Sequence, residues 1–284
     1  MLKYLKYYLS PIFYLHDIPN HIENISNIFP IMEKIDKENL DSLIFFSWLY
    51  NISYLNFNKK DILIKYNKIL YSKLPIIFSK PKTKRKTHKI KLGIVGFTIN
   101  RDEDHGSFLL HSVFRDRVEI LKRLDSNIFE KYLIVKEEKS SEYINDNGHL
   151  LGELYNKMDY IASINTYDCS IIDQLMNLDL DIMLYPDIGM HPFTIIMANY
   201  RIAPVQINTW GHSLTSGIEN IDYYISSKYY ELEDLNKAQQ HYSEKLIAMN
   251  SLCTYYKELT LPENEDFLSG EYLGIPSNKQ VLFC

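Results

Sequence analysis

The sequence predicts an α/β, Rossmann-like sheet region preceded by an all-α segment, and three observations predict it. From residue 89 onward, short β-branched runs alternate with helix-period stretches, the pattern of parallel strands covered by helices. The first of these runs, KIKLGIVGF (89–97), is almost continuously apolar and holds two glycines, as strands buried on both faces do. Residues 1–80 instead carry apolar side chains at helical spacing.

Within residues 1–80, Ile22, Ile25, Ile28 and Phe29 share one helical face. Leu40, Leu43, Ile44 and Leu49 form a second face, with Asn39 or Asp41 placed to cap it. A third helix over residues 60–74 gathers Ile62, Leu63, Tyr66, Ile69 and Leu70. No 34-residue self-similarity runs through these helices, so they do not read as a tetratricopeptide array. The basic run from Lys82 to Lys89 has no interleaved aromatic residues and reads as a solvated linker.

Strands are expected at 89–97, 131–136, 181–187, 204–210, 221–226, 245–250 and 280–284. Helices are expected at 112–124, at 168–178 with Asp168 as cap, and at 193–201. The 112–124 helix turns Val113, Val118, Leu121 and Leu124 inward and Arg115, Arg117, Lys122 and Arg123 outward. Three units follow: a helical region 1–80, a linker 81–88 and one Rossmann-like lobe 89–284.

Composition narrows the function classes. With 46% hydrophobic and 24% charged residues, the 284-residue chain suits a soluble protein with a buried core. Its formal charge of -5 gives no general attraction to nucleic acid or anionic membranes. Ile, Asn, Lys and Tyr are abundant while Gly and Pro number ten each, which fits an AT-rich coding sequence. The 23 tyrosines are therefore not read as a binding surface. Cys169, Cys253 and Cys284 have neither metal-ligand spacing nor an even disulfide framework, which fits a reducing cytoplasm. Lys3, Lys6 and Pro11 interrupt the apolar N-terminal residues, and neither a membrane span nor a signal peptide is expected there.

Ligands of parallel α/β sheets bind beyond the carboxyl ends of the strands, which directs attention to residues 97–112, 187–194 and 210–218. In the first segment, His111 precedes a helix whose positive end would keep the imidazole neutral and able to accept a proton. His105 lies among Asp102, Glu103 and Asp104, which favour its protonated form. In the second, Asp187 and His191 flank Gly189 and could bind a hydroxyl or shuttle a proton; equally, Asp187 could cap the loop and His191 face water. In the third, Gly211 and Gly217 bracket His212, Ser213, Thr215 and Ser216. Such a loop can cradle a phosphate or sugar, or can be an ordinary connection with capping hydroxyls, which composition alone favours. There is no P-loop and no glycine-rich dinucleotide turn after the first strand, which counts against an unrelated nucleotide-binding Rossmann protein.

Taken together, these segments resemble the catalytic region of the O-linked N-acetylglucosamine transferases. RIAPVQINTWGHSLTSGIENIDYYISS (201–227) is similar to that family's R-x-A-P-I/V-Q, W-x-G-H/Y-P-x-T-S/T-G and I/M-D-Y succession. AQQHYSEKLIAMN (238–250) resembles the following Y-S-E-K/R-L segment, and DIMLYPDIGM (181–190) stands where the family has a strand and glycine loop. LGIPSNKQVLFC (273–284) is similar to the segment that opens the family's second catalytic lobe. Gly189-Met190 and Gly211-His212 resemble the bacterial branch, which includes cytoplasmic N-glycosyltransferases.

The resemblance implies the first lobe of a GT-B type, inverting, metal-independent transferase that moves a sugar from a UDP-sugar to a protein side chain. No cofactor beyond that donor is implied. His111, in the run His111-Ser112-Val113, matches the family's candidate base. Gly189, His191, Gly211, His212, Thr215, Ser216 and Gly217 fall in loops implied to face sugar and acceptor. Ser213 departs from the pattern, since many members have proline there. The donor-binding lysine and most uridine contacts belong to a second lobe that this sequence does not hold, so the chain by itself is expected to be inactive. Its end within an apparent strand reads as a cut or frameshift, and a degenerate lobe that binds protein or peptide is the alternative.

Overall fold

The computed structural model describes residues 27, 29–35, 52–54, 56–77, 89–97, 100–101, 109–110, 112–136, 150–164 and 169–256. The expected helix over 40–49, the strand over 280–284, and Asp168, His105 and His111 lie outside the described residues.

Among the described residues, seven strands form one all-parallel sheet: β1 Ile90–Val95, β2 Phe129–Lys136, β3 Tyr160–Ile164, β4 Ile182–Tyr185, β5 Val205–Thr209, β6 Tyr223–Ser227 and β7 Lys245–Met249. Their order across the sheet is β3-β2-β1-β4-β5-β6-β7. The chain therefore starts in the middle, builds outward to β3, crosses back beside β1 and builds outward the other way. This is the Rossmann-like, doubly wound arrangement, with its switch point between β1 and β4. Residues 100–101 and 109–110 form a separate two-residue antiparallel pairing.

The alternation within β1 and β2 explains the layering. Leu92, Ile94, Leu133 and Val135 point to one face and pack with Val113, Phe114, Val118, Leu121 and Leu154. Those partners come from the helices α2 Ser112–Arg115, α3 Val118–Arg123 and α4 Leu150–Tyr155. Val95, Tyr132 and Ile134 point to the other face, together with Met183 and Tyr185 of β4. There they meet α1 Lys60–Lys73, α5 Ser170–Asn177 and α6 Pro192–Ala198. A five-residue helix, α7 Leu235–Gln239, joins β6 to β7 with Asp234 as its side-chain cap. Among the described residues no helix is long and apolar enough to cross a membrane.

α1 buries Leu63, Tyr66, Ile69 and Leu70, as its spacing predicts, and also Asn67. These side chains belong to the same apolar cluster as the sheet residues of that face. Residues 29–33 are helical and contribute Phe29 and Met32 to the cluster.

The structure departs from the sequence expectation in four places. β3 and the short helices α4 and α7 were not anticipated. β3 is an edge strand whose apolar run is interrupted by Ala162 and Ser163, so its signal is weak. The expected 112–124 helix is broken at Asp116 and Arg117, and Arg117 is buried instead of exposed.

The motif that carried the resemblance proves to be a structural clamp at the α6–β5 turn. Gln206 is fully buried: its amide nitrogen donates to the carbonyls of Tyr200 (3.0 Å) and Asn220 (2.8 Å). Its amide oxygen accepts from Ile202 N–H (3.1 Å) and Tyr185 O–H (3.3 Å). Arg201 donates to Asp222 Oδ2 at 2.6 Å, and the same oxygen accepts from Gln206 N–H at 2.8 Å. Gln206 and Asp222 thus satisfy backbone groups that the helix-to-strand turn leaves open, and Arg201 pairs with the Asp222 carboxylate.

Candidate functional site

Because every strand of the sheet is parallel, the loops after β1, β4 and β5 all emerge at one end, and β1 and β4 flank the switch point. After β4 the chain turns at Pro186–Met190. Asp187 is fully buried, and its carbonyl accepts from Met190 N–H (2.8 Å) and Thr194 O–H (3.3 Å). Gly189 has φ +90°, a conformation that L side chains rarely adopt. His191 is the N-cap of α6: its Nδ1 accepts from Phe193 N–H at 3.2 Å. That bond fixes the ring with Nε2 as the protonated nitrogen, the tautomer following from the hydrogen bond. The ring lies 5.4 Å from that of Phe97, just past β1, so His191 sits across the switch point.

The loop after β5 rests on the loop after β4. A Cβ on Gly211 would stand 1.7 Å from the Pro186 carbonyl oxygen, and one on Gly189 would stand 3.1 Å from the His212 ring. At Gly211 only glycine permits the approach, and at Gly189 the φ of +90° disfavours any side chain. His212 is 7% exposed, and burial pushes its pKa down to about 4. The imidazole is therefore neutral at pH 7.

This depressed value makes stability depend on pH. Below about 6.5 the unfolded chain takes up a proton that folded His212 refuses until about pH 4, so stability falls as pH drops through that window. The expected loss from this group is about 3 kcal/mol over the window. Urea unfolding at pH 7 and pH 4.5 checks it: the wild-type difference exceeds that of His212→Asn. Equal differences in the two proteins would exclude His212 as the source.

Thr215, Ser216 and Gly217 are tied to two other parts of the chain, the segment before β7 and α1. Glu244, buried just ahead of β7, accepts from Thr215 Oγ1 (2.5 Å), from Ser216 N–H (2.7 Å) and from the Ser216 hydroxyl. Ser243 lies in the same network, 2.9 Å from Thr215 Oγ1, and its hydroxyl accepts from Gly217 N–H at 3.1 Å. Both loop hydroxyls are engaged with protein groups, so they hold the loop's shape. Gly217, at φ +69°, lets the chain pass against α1; a Cβ would stand 2.4 Å from the Leu63 carbonyl carbon. Asn67 completes the seam by donating to Ser216 O (2.9 Å) and accepting from Asn199 (3.1 Å).

The space between α1 and this loop is only ≈ 20 Å³, lined by Tyr66, Asn67, Gly189, His212 and Thr215 among others. That volume suits a single water, not a substrate. The inner side of the loop is a packed seam.

Beneath the site lies a buried polar cluster that sequence reasoning missed. Arg117 donates to Asp116 Oδ1 (2.8 Å), to the Val113 carbonyl and to Thr209 Oγ1 (3.4 Å). Its guanidinium stacks on the Trp210 ring, 4.2 Å from the centroid, while Trp210 Nε1 donates to Asp116 Oδ2 at 2.6 Å. Burial raises the pKa of Asp116, opposed by the neighbouring Arg117 and the Trp210 hydrogen bond. The cluster joins the helix that starts at Ser112 to the residue preceding Gly211. For Glu244 a signal existed, since Ser243 and Glu244 stand in the Y-S-E-K-L core. For Asp116 and Arg117 none did, because adjacent charges on a helix ordinarily face water.

No family model matches the chain, and no curated protein matches it by sequence. Forty-four solved chains match it in structure. One is a mutant of the Thermobaculum terrenum O-GlcNAc transferase, aligned with TM-score 0.45 and 12% identity over 89% of this chain and 58% of that one. The chain thus spans less than two thirds of that neighbour's length.

Proposed function

We propose that the chain is one lobe of a GT-B type, inverting glycosyltransferase that moves a sugar from a UDP-sugar to a protein side chain when a donor-binding lobe completes the cleft. One observation supports this above the others. The segments whose order resembles the O-GlcNAc transferases, residues 181–190 and 201–227, supply neighbouring loops at the carboxyl end of the sheet, beside the switch point.

In this reading the acceptor loses its proton as its oxygen or nitrogen bonds the anomeric carbon and the bond to UDP breaks. His111 accepts that proton or orients the acceptor. The loop carrying Gly189 and His191 and the turn at Gly211 and His212 form this lobe's wall of the cleft. Thr215, Ser216 and Gly217 fix the shape of that wall through Glu244 and α1. No metal is required of this lobe. Cytoplasmic residence belongs to the same reading, in keeping with three cysteines that form no even disulfide framework.

The test is transfer of labelled sugar from UDP-sugar to protein, with this chain alone and with a second lobe supplied. Transfer that requires the second lobe and is lost in His111→Ala supports the proposal; no transfer in either mixture sinks it. The alternative, an inactive lobe that binds protein or peptide, is favoured by the exposed Tyr229, Leu232, Leu252 and Tyr256. Partner capture without transfer, lost on polar substitution of these side chains, is its distinguishing result.

A further inference from the structure

A second cavity lies away from the switch point, towards the β7 edge of the sheet, with a volume of ≈ 360 Å³. That is within the range of small-molecule sites. Three separate stretches of chain enclose it: residues 57–59 ahead of α1, residues 213–215 of the glycine loop, and residues 230–242 around α7.

Its walls alternate apolar rings with polar groups. Phe57, Tyr230 and Tyr242 supply aromatic surface, and Leu214 and Leu232 supply aliphatic surface. Glu231 is held in place from behind, its Oε1 accepting from Ser226 Oγ (2.6 Å) and Tyr242 O–H (2.8 Å). Its Oε2 has no hydrogen bond among the described residues. Lys59 lies over the Phe57 ring, 5.1 Å from the centroid, and partial burial lowers its pKa. Ser213, Asn58 and His241 stand at the exposed rim.

This lining discriminates among ligand classes. One lysine and one glutamate offset each other, so a phosphate or polyanion finds no net attraction. A cation would meet Lys59 already stacked on one of the three rings. A purely apolar ligand would leave the Glu231 carboxylate desolvated without a partner. A neutral molecule with C–H faces for the rings and hydroxyls for the carboxylate meets every part of the lining.

We propose that the cavity bounded by Phe57, Leu214, Tyr230, Glu231 and Tyr242 is a binding site for a neutral saccharide unit. Tyr230 and Phe57 hold the apolar faces of the sugar ring, and Glu231 accepts from its hydroxyls. The site shares one loop with the transfer region but is reached from the β7 side, and its occupancy does not depend on a second lobe or on transfer.

The experiment is isothermal titration and saturation-transfer NMR of the full chain with glucose, N-acetylglucosamine and maltose. At least one is expected to bind saturably, with a dissociation constant on the order of 1 mM. Tyr230→Ala and Glu231→Gln each weaken that binding about tenfold or more, while Tyr256→Ala leaves it unchanged. Tyr230 is half exposed and, among the described residues, its hydroxyl meets only Thr254, so its variant remains informative even if Glu231→Gln does not fold. No saturable binding by the intact protein overturns the proposal, as does binding that survives the Tyr230→Ala substitution. Neither readout involves sugar transfer, so failure of the transferase reading leaves this result separate.

Discussion

Gly211→Ala is expected to cost at least about 3 kcal/mol of folding stability. The added methyl would stand 1.7 Å from the Pro186 carbonyl oxygen and 3.0 Å from a Val113 methyl. The carbonyl is backbone, held between β4 and the turn at Asp187, so no rotamer change relieves the clash. Relief requires the β4 and β5 loops to separate, which breaks the seam between Gly189 and His212. For a chain of this size the change lowers the thermal midpoint by about 6 °C or more. Gly96→Ala is the control. Its methyl meets side-chain atoms of Leu133 and Val135 at 3.2 Å and the Ile134 carbonyl oxygen at 3.3 Å, contacts that small shifts can accommodate. Differential scanning calorimetry of both variants decides the matter; equal midpoints for the two would show that the loops are not in contact as described.

Arg117→Met is expected to cost about 3–5 kcal/mol, because it leaves Asp116 as an uncompensated buried carboxylate. Asp116 and Arg117 are 4% and 3% exposed, so solvent does little to screen the orphaned charge. The substitution also removes the cation stacked on Trp210 and the donor to the Val113 carbonyl. Asp116→Leu combined with Arg117→Met is expected to recover much of the loss, since neither charge then remains buried. pH supplies an independent check. Burial already raises the Asp116 pKa, and removing Arg117 raises it further. A carboxyl whose folded pKa exceeds its unfolded value is stabilised by protonation, so the deficit of Arg117→Met shrinks as pH falls from neutral towards 4. A deficit independent of pH, or a double variant no more stable than the single one, would contradict the ion-pair account.

Both variants act where the sequence was hardest to read. The sequence by itself determined the class of the fold. Continuous apolar runs separated by helical periods require a buried parallel sheet, and β1, β2, β4, β5, β6 and β7 all lie where those runs predict. It also located the loops at the carboxyl ends, because a parallel sheet places all of them on one side. β3 escaped because Ala162 and Ser163 interrupt its apolar run.

What the tertiary structure alone decided is the role of each polar residue. Thr215 and Ser216 are hydroxyl donors in any sequence reading, and only the approach of Glu244, 28 or 29 positions later, commits them to the protein interior. Arg117 reads as a surface charge until Trp210, from a distant strand, covers it. Gln206, Arg201 and Asp222 read only as part of a family-like succession, and the structure makes them a clamp on one turn. The physical reason is common to all three cases. Apolar residues declare burial through their periodicity, because the hydrophobic effect is non-directional and local spacing suffices. A polar side chain is equally content with water or with a partner, and which it meets depends on groups that only the folded chain brings near.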